Sequence, residues 1–364
     1  MAIVPSLRMR PIPEPTAPLF EPLAERRVLV TGGAGFVGAA LCARMAEQGA
    51  ELHVLDDLSG GRSERLEGLS GVTLHAVDAG RIDRVARVLL DEGPFDVIFH
   101  LAARVGVRTV LADPEDARRV NEDVVAGLIG ALRLLPAAAR PRLFAASSSE
   151  VYADASTALE ECSPLRSERG VGRWAYAASK IRAERMLDDV RELWPRGMGP
   201  VHLRFFNVVG PGQDAGAGFV MPRFVEAAIK EQPLHVYGDG RAIRTYAHVD
   251  EVADTLSRLA SHPALPEGPL NIGGVARASV LELASAVIEA SGRELEMKLT
   301  DPREELGELF EEVSVRVPSL ERLAVLGCGV PSMGLPEIVA DTFARHMELL
   351  DSIGGRGSCE SRAS

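Results

Sequence analysis

The stretch Arg27 to Leu41, RVLVTGGAGFVGAAL, decides how this chain folds. Val28 to Thr31 is an apolar run of strand length, glycines at 32, 33, 35 and 38 interrupt it, and from Phe36 to Gln48 apolar residues return at helical spacing. The pattern predicts strand, tight turn, helix. Glycines suit such a turn because it must enter backbone angles closed to other residues, and because a pyrophosphate must approach the main chain without meeting a Cβ. The helix start then offers unpaired N–H groups and the positive end of its dipole to the phosphates. Alone, the pattern also fits a plain tight turn in any α/β protein. A second apolar run, Glu51 to Leu55, ends in Asp56, about 20 residues beyond Gly35, where a carboxylate accepts hydrogen bonds from an adenosine ribose diol. Together the two features predict a dinucleotide site lined by Gly32, Gly35, Phe36, Val37 and Gly38, with Asp56 and Asp57 at the ribose. A carboxylate there repels a 2′-phosphate, which favours NAD over NADP, although Arg62 leaves the second open.

The chain has 364 residues, 46% of them hydrophobic and 25% charged, with a net charge of −12. That length can bury a large core and suggests one big α/β domain with a smaller companion. The negative balance argues against general nucleic-acid binding, which rests on clustered Lys and Arg facing phosphates. Cys42, Cys162, Cys328 and Cys359 are scattered with no Cys-x-x-Cys spacing, which fits reduced thiols, a cytoplasmic protein and no metal site. No apolar run reaches membrane-spanning length. Residues 1–24 hold six prolines and lack the apolar core of a signal peptide, so they read as a flexible or surface-hugging extension. The tail 353–364 reads as disordered.

After Asp56 the alternation continues. Val72 to Val77 is a short strand ending at Asp78, Ile82 to Leu90 an amphipathic helix, and Phe95 to Phe99 a strand followed by HLAARVGVR. Pro114 to Leu135 reads as a long helix containing Asn121, and Leu143 to Ala146 as a strand running into SSSEVY. Strands alternating with helices over this distance imply right-handed crossovers and a parallel sheet, with ligands beyond the C-terminal strand ends. Asp56, Asp78, Leu101 and Ser147 fall at that edge. Asp78 either holds the adenine amino group or caps the helix ahead of Ile82.

From Gly172 to Leu193 the sequence reads as helix and sets Tyr176 and Lys180 four apart on one face. An ammonium beside a phenol favours the phenolate and moves the tyrosine from about 10 toward working pH, where it can act as general base. Tyr-x-x-x-Lys alone is common chance spacing; the dinucleotide signature upstream gives it weight. Farther on, 219–230, 249–259, 281–290 and 335–350 read as helices, 270–272 and 294–299 as strands, and the acidic run 301–313 as a solvated face.

These residues resemble the extended short-chain dehydrogenase/reductases, the family of sugar-nucleotide epimerases, dehydratases and decarboxylases. The resemblance covers about Arg27 to Leu350 and rests on seven ordered motifs: TGGAGFVG at 31–38, LDDLSGGR at 55–62, HLAA at 100–103, SSSEVY at 147–152, YAASK at 176–180, RFFNVVGPG at 204–212 and VYGDGRAIRTYAHVDE at 236–251. It implies an α/β fold: a Rossmann-type doubly wound parallel sheet at 25–207, with a smaller C-terminal α/β substrate-binding domain at 208–352. It implies that Ser148 is the catalytic Ser/Thr, Tyr176 the base and Lys180 the ribose-binding lysine. Leu101, Ala102, Ala103 and Asn121 join the cofactor site. Ser148, Ser149, Asn207, Arg244 and, more weakly, Arg223 face the sugar nucleotide. Homodimerisation through a helical bundle is implied too.

The shared chemistry begins with proton removal from the C4 hydroxyl and oxidation at C4 to a 4-keto sugar. The order Ser148-Ser149-Glu150-Val151-Tyr152 is most similar to UDP-glucuronate decarboxylases, in which the glutamate lies near C5 and the carboxylate, and Arg173-Trp174 resembles the bacterial members of that group. The HLAARVGVR segment is similar to that of 4-epimerases, and a 4,6-dehydratase is a further alternative although the Thr-Asp-Glu of that group is absent. The chain departs from the family at Ala153, Gly212 and Cys328, where Gly, Arg and Trp are usual. The expectation is an NAD-dependent enzyme that decarboxylates UDP-glucuronate, with a UDP-sugar 4-epimerase second; a non-catalytic NAD-binding scaffold or sensor is the reading from another class.

Overall fold

A computed structural model describes residues 20–264, 267–307, 311 and 313–357. Up to residue 19 the proline-rich extension lies outside the described residues, as does the tail from 358. Where the description begins, the chain hugs the surface: Glu21 N–H donates to the Ser261 carbonyl at 2.8 Å and Phe20 packs edge-on against His262.

The first half runs β1 (Arg27–Thr31), α1 (Phe36–Glu47), β2 (Glu51–Asp56), β3 (Val72–Ala76), α2 (Ile82–Asp91), β4 (Val97–His100), α3 (Val107–Ala112), α4 (Pro114–Leu132), β5 (Arg142–Ser148), α5 (Ala175–Asp188) and β6 (Val201–Phe205). The second half runs β7 (Val208–Val209), α6 (Val220–Ile229), β8 (Leu234–Tyr237), β9 (Ile243–His248), α7 (Val249–Ser261), β10 (Gly268–Ile272), β11 (Ala276–Ser279), α8 (Val280–Ser291), β12 (Met297–Thr300), α9 (Pro302–Leu306), β13 (Val315–Arg316), α10 (Glu321–Val325) and α11 (Leu335–Gly357).

Seven strands form one sheet in the order β10-β6-β5-β4-β1-β2-β3, every neighbouring pair parallel. Apolar residues cover both of its faces, as parallel sheets require. One face packs Val28, Val30, Leu41, Met45, Phe144 and Leu203 with Val252, Leu256 and Leu259 of α7; the other packs Leu29, Ile98 and Leu143 with α2, α4 and α5. Strand order reverses at β1, where the chain runs out to β3 and then returns to β4 on the opposite side. That reversal opens a crevice at the C-terminal edge, beside the β1–α1 turn. A smaller layer has its own core of Met221, Phe224, Val236, Tyr246, Leu283 and Ile338 around two small sheets, one with β7, β9, β11 and β13, the other with β8 and β12. The chain does not divide cleanly at residue 207, because α7 and β10 return to the large sheet.

Four elements differ from expectation. The segment HLAARVGVR contains the start of α3, whose Val110 is buried. The expected helix 172–193 begins as a tight turn at Gly172–Trp174, and α5 stops at Asp188, whose carboxylate accepts from Arg191 at 2.6 Å and His202 at 2.9 Å. The long helix ends at Leu132 rather than Leu135. The last helix runs on through Gly357 where a disordered tail was expected from Ile353, since extending an established helix is cheaper than starting one.

Candidate active site

At the end of β1 the chain turns at Gly32, whose φ is +70°. A Cβ there would lie 2.7 Å from the backbone nitrogen of Ala102, in the segment after β4. Gly32 alone of the four glycines occupies the left-handed region, so the unusual backbone angles expected of the turn are confined to that position. Close approach explains the others. A Cβ on Gly38 would lie 2.3 Å from the Gly32 carbonyl oxygen, one on Gly33 2.7 Å from the Val54 side chain, and one on Gly35 3.0 Å from the Gly32 oxygen. Helix α1 then starts after Gly35 with no side-chain cap and no acidic residue in its first turn, so the positive helix end at Phe36, Val37 and Gly38 has no competing carboxylate. A cradle that any Cβ would fill, closed by an uncapped helix start, fits the pyrophosphate of NAD.

Asp56 is buried at the end of β2 and accepts from Ala34 N–H at 3.0 Å and Leu58 N–H at 2.9 Å. Burial raises its pKa, and the two N–H donors oppose that rise. Its carboxylate oxygens retain lone pairs for a ribose diol. Exposed Asp57 accepts from Ser59 N–H and Oγ at 2.9 and 2.6 Å. Asp78 is exposed and accepts from Gly80 N–H at 2.7 Å, while Arg81 flanks α2 without a side-chain cap; the helix-cap alternative for Asp78 is therefore overturned. Leu101 N–H donates to the Thr31 carbonyl at 2.9 Å and Ala102 N–H to Thr31 Oγ at 3.3 Å, fixing the segment that includes half-buried Ala103 against the glycine turn.

Across the crevice, β5 ends at Ser148 and α5 begins at Ala175. Ser148 is buried, accepts from Glu150 N–H at 3.2 Å and hydrogen-bonds Tyr176. The Lys180 ammonium is 5% exposed, donates to the Ala146 carbonyl at 2.9 Å and lies 5.9 Å from the centre of the Tyr176 ring. Asn121 on α4 accepts from Arg104 N–H at 2.7 Å and donates to the Arg104 carbonyl and Ser179 Oγ, both at 3.1 Å, tying the loop after β4 to α5. One sequence expectation is reversed here. Burial and then the Glu150 charge push the Tyr176 phenol up, and its hydrogen bond with Ser148 does not offset them. The ammonium nearby does not lower it in the chain alone. Burial also brings Lys180 down to about 8, against the pull of Glu184.

Glu150 sits in a cluster of arginines. Arg316 Nη1 donates to its Oε1 at 2.9 Å, and Arg173 Nη2 lies 3.5 Å from the same oxygen. Burial on its own would raise the carboxyl, but Arg316, Arg173 and Arg244 outweigh it and hold Glu150 at about 2. Arg244 stands on β9 opposite Arg316 of β13, and its Nη1 donates to the Ile243 carbonyl at 2.9 Å. Ser149 is buried beside this group. Asn207 adopts a φ of +32° and donates to the Thr245 carbonyl at 2.8 Å, so β6 is tied to β9 at the mouth of the second layer. Arg223 lies elsewhere: it stacks on the Tyr237 ring at 4.2 Å and lines a recess of about 480 Å³ with Arg108, Lys230 and His235.

Sequence reasoning missed Arg316, which is brought to Glu150 only by the pairing of β13 with β9 and stands outside the quoted motifs. It also missed a signal for Lys180. Of the 40 basic residues only three are lysines, at 180, 230 and 298. A chain that otherwise uses arginine keeps lysine at its buried position, where a compact titratable point charge differs most from a guanidinium fork.

Residues 28–273 match the model of the NAD dependent epimerase/dehydratase family. The chain is 33% identical to UDP-glucose 4-epimerase of Mycolicibacterium smegmatis, over 87% of this chain and 97% of that one. It is 32% identical to UDP-glucuronic acid decarboxylase 1 of Arabidopsis thaliana, over 72% of this chain and 58% of that one. Among solved structures, the UDP-glucose 4-epimerase of Thermus thermophilus in complex with NAD superposes with a TM-score of 0.75 at 30% identity, over 88% of this chain and 99% of that one. The chain therefore belongs to the NAD dependent epimerase/dehydratase family, and it is an enzyme of that class with NAD as its cofactor.

Proposed function

We propose that the chain decarboxylates UDP-glucuronate to a UDP-pentose, UDP-xylose, through a 4-keto sugar. The observation that carries this reading is the arginine group at Glu150: Arg316 and Arg173 meet a carboxylate beside Ser148, whose hydroxyl bonds Tyr176, with Arg244 near enough to act on its charge. Guanidinium groups gathered beside the reacting centre suit a sugar that itself carries a carboxylate. The large-sheet layer, mainly residues 25–207, would hold NAD through the glycine turn, Asp56, Asp57 and Asp78, and the layer at 208–352 would hold the nucleotide sugar through Asn207 and Arg244.

Bound NAD supplies a reversible hydride acceptor at the sugar. Ser148 holds the C4 oxygen, and Tyr176 takes its proton. Lys180 steadies the resulting phenolate. A ketone at C4 lies β to the C6 carboxylate, so the C5–C6 bond can break with its electron pair delocalised onto the C4 oxygen. Carbon dioxide leaves, a proton is delivered to C5, and return of the hydride to C4, with Tyr176 giving its proton back to the C4 oxygen, would complete the pentose with no net change of the cofactor. Glu150, with Arg316 and Arg173 on its carboxylate, would organise water or the arginines at that carbon.

UDP-sugar 4-epimerisation is the second reading, favoured by the relative that aligns along 97% of its own length. Incubation with UDP-glucuronate and UDP-glucose, followed by mass analysis, separates the two. The proposal expects a product lighter by carbon dioxide from the first substrate and no net NADH; an isomer of unchanged mass would replace it with epimerisation. The working unit is proposed to be a cytosolic homodimer. Among the described residues no helix is long and apolar enough to cross a membrane.

A further inference from the structure

Helix α5 presents Tyr176, Lys180 and Glu184 at successive turns of one face, and Lys180 and Glu184 are both buried, at 5% and 6% exposure. Two adjacent residues of β5 receive the last two: the Ala146 carbonyl accepts from Lys180 Nζ at 2.9 Å, and Ser147 Oγ donates to Glu184 Oε1 at 2.5 Å. From β6, Arg204 grips both oxygens of Glu184, with Nε at 2.9 Å and Nη2 at 2.6 Å. Arg204 is held in turn by Tyr152 Oη at 3.1 Å and the Glu161 carbonyl at 2.9 Å, and the Tyr152 hydroxyl donates to Asn271 of β10 at 2.6 Å.

We propose that Glu184 is a positioning residue that keeps the Lys180 side chain protonated and directed at the cleft. The inference rests on Lys180 being the active-site ammonium. The Arg204 strap between α5 and β6 uses the same carboxylate, so the two roles separate at Lys180, whose charge state a strap alone would leave unchanged. A buried amine loses its charge readily unless an opposite charge lies close by. The groups facing Lys180 are Tyr176 and Glu184 from its own helix, His100 from β4 and the Ala146 carbonyl from β5. His100 is neutral, because burial and the Lys180 charge push it down to about 3. Glu184 faces Arg204 and His202 of β6 and Ser147 of β5, and is held below the usual carboxylate range by Arg204 against the effect of burial. Glu184 is thus the carboxylate one helical turn from Lys180 that acts on its charge, and Arg204 keeps it ionised.

With only three lysines, the full-length protein grown on ¹³C-labelled lysine gives three side-chain signals, and Lys230 and Lys298 serve as exposed references. In ligand-free protein the Lys180 signal should titrate near 8. In Glu184→Gln the midpoint should fall by about one pH unit, roughly tenfold in proton affinity, with the references unmoved. The alkaline limb of kcat/KM should move to lower pH by the same amount, whereas a structural role would cost stability and leave both midpoints in place. Should the glutamine variant fail to fold because Arg204 loses its carboxylate, Glu184→Asp carries the test: its charge is withdrawn by one methylene, so the midpoint should fall by a smaller margin. A native midpoint in the folded variant overturns the proposal. Because the titration needs neither substrate nor turnover, its outcome stands apart from that of the product analysis.

Discussion

At the scale of single residues, the site is built from groups whose charge states the fold has displaced from their ordinary values. Tyr176 is pushed up by burial and by Glu150, so the chain alone disfavours the phenolate that proton removal needs. In the proposed mechanism the nicotinamide cation and the Lys180 ammonium together overcome that opposition, which couples base activation to cofactor binding. Activity should accordingly rise with pH as the phenol ionises, and the midpoint of that rise should lie lower in the NAD-bound enzyme than the free phenol would allow. Tyr176→Phe removes the proposed base while leaving the glycine turn and Asp56 untouched. We expect turnover to fall by about 10²–10⁴-fold, the usual span for a general base, with NAD affinity measured by calorimetry within about threefold of native. Turnover close to native in this variant would remove Tyr176 from the role.

At the scale of elements, the β1–α1 turn shows what the sequence could and could not say. Four glycines between an apolar strand and a helix announce a tight turn, and the structure builds one. The reason for each glycine was not legible. Only Gly32 needs a left-handed backbone, whereas Gly38 is required because α1 lies against the carbonyl of Gly32. Gly38→Ala places a methyl 2.3 Å from that oxygen, with backbone rather than a flexible side chain as the neighbour. The helix must retreat, at a cost of about 1–3 kcal/mol for overpacking. NAD affinity should fall at least tenfold, because the N–H groups of the first turn move with the helix. A melting temperature and NAD affinity equal to native would deny this close approach its role. The same limit applied across the cleft. Ser148, Tyr176 and Lys180 were legible because motifs carry them, and Asp56 because spacing does. Arg316 was not, since the pairing of β13 with β9 brings it to a residue 166 positions away, Glu150, and no local pattern encodes that. Asp78 stayed between two readings because an aspartate shortly before a helix looks the same in sequence whether it caps the helix or closes its own turn.

At the scale of the whole molecule, the expected homodimer through a helical bundle names no helices; α4 and α5, packed side by side, offer one face on which to test it, and the character of that face sets how it could associate. The exposed large apolar residues include none from either helix. The face carries ion pairs instead: Arg119 with Asp116 at 2.5 Å and Asp123 at 3.0 Å, Arg118 with Glu115 at 2.6 Å and Glu122 at 3.3 Å, and Arg182 with Glu122 at 3.0 Å. Such pairs contribute little singly and are weakened by salt. A second copy of this face would have to exchange partners within that ladder rather than bury a hydrophobic seam. Each chain also carries a net charge of −12, so two copies repel at long range, and only salt near physiological strength, with a screening length of about 8 Å, leaves close attraction dominant. The dimer should therefore be strongest at moderate salt. Light scattering at about 0.15 M NaCl should give twice the chain mass of 38.9 kDa, falling toward one chain at about 1 M, where the screening length shrinks to about 3 Å. Arg119→Glu, which sets like charges beside Asp116 and Asp123, should shift the protein to single chains at about 0.15 M without loss of NAD binding. A dimer indifferent to salt and to that substitution would mean that another surface joins the two copies.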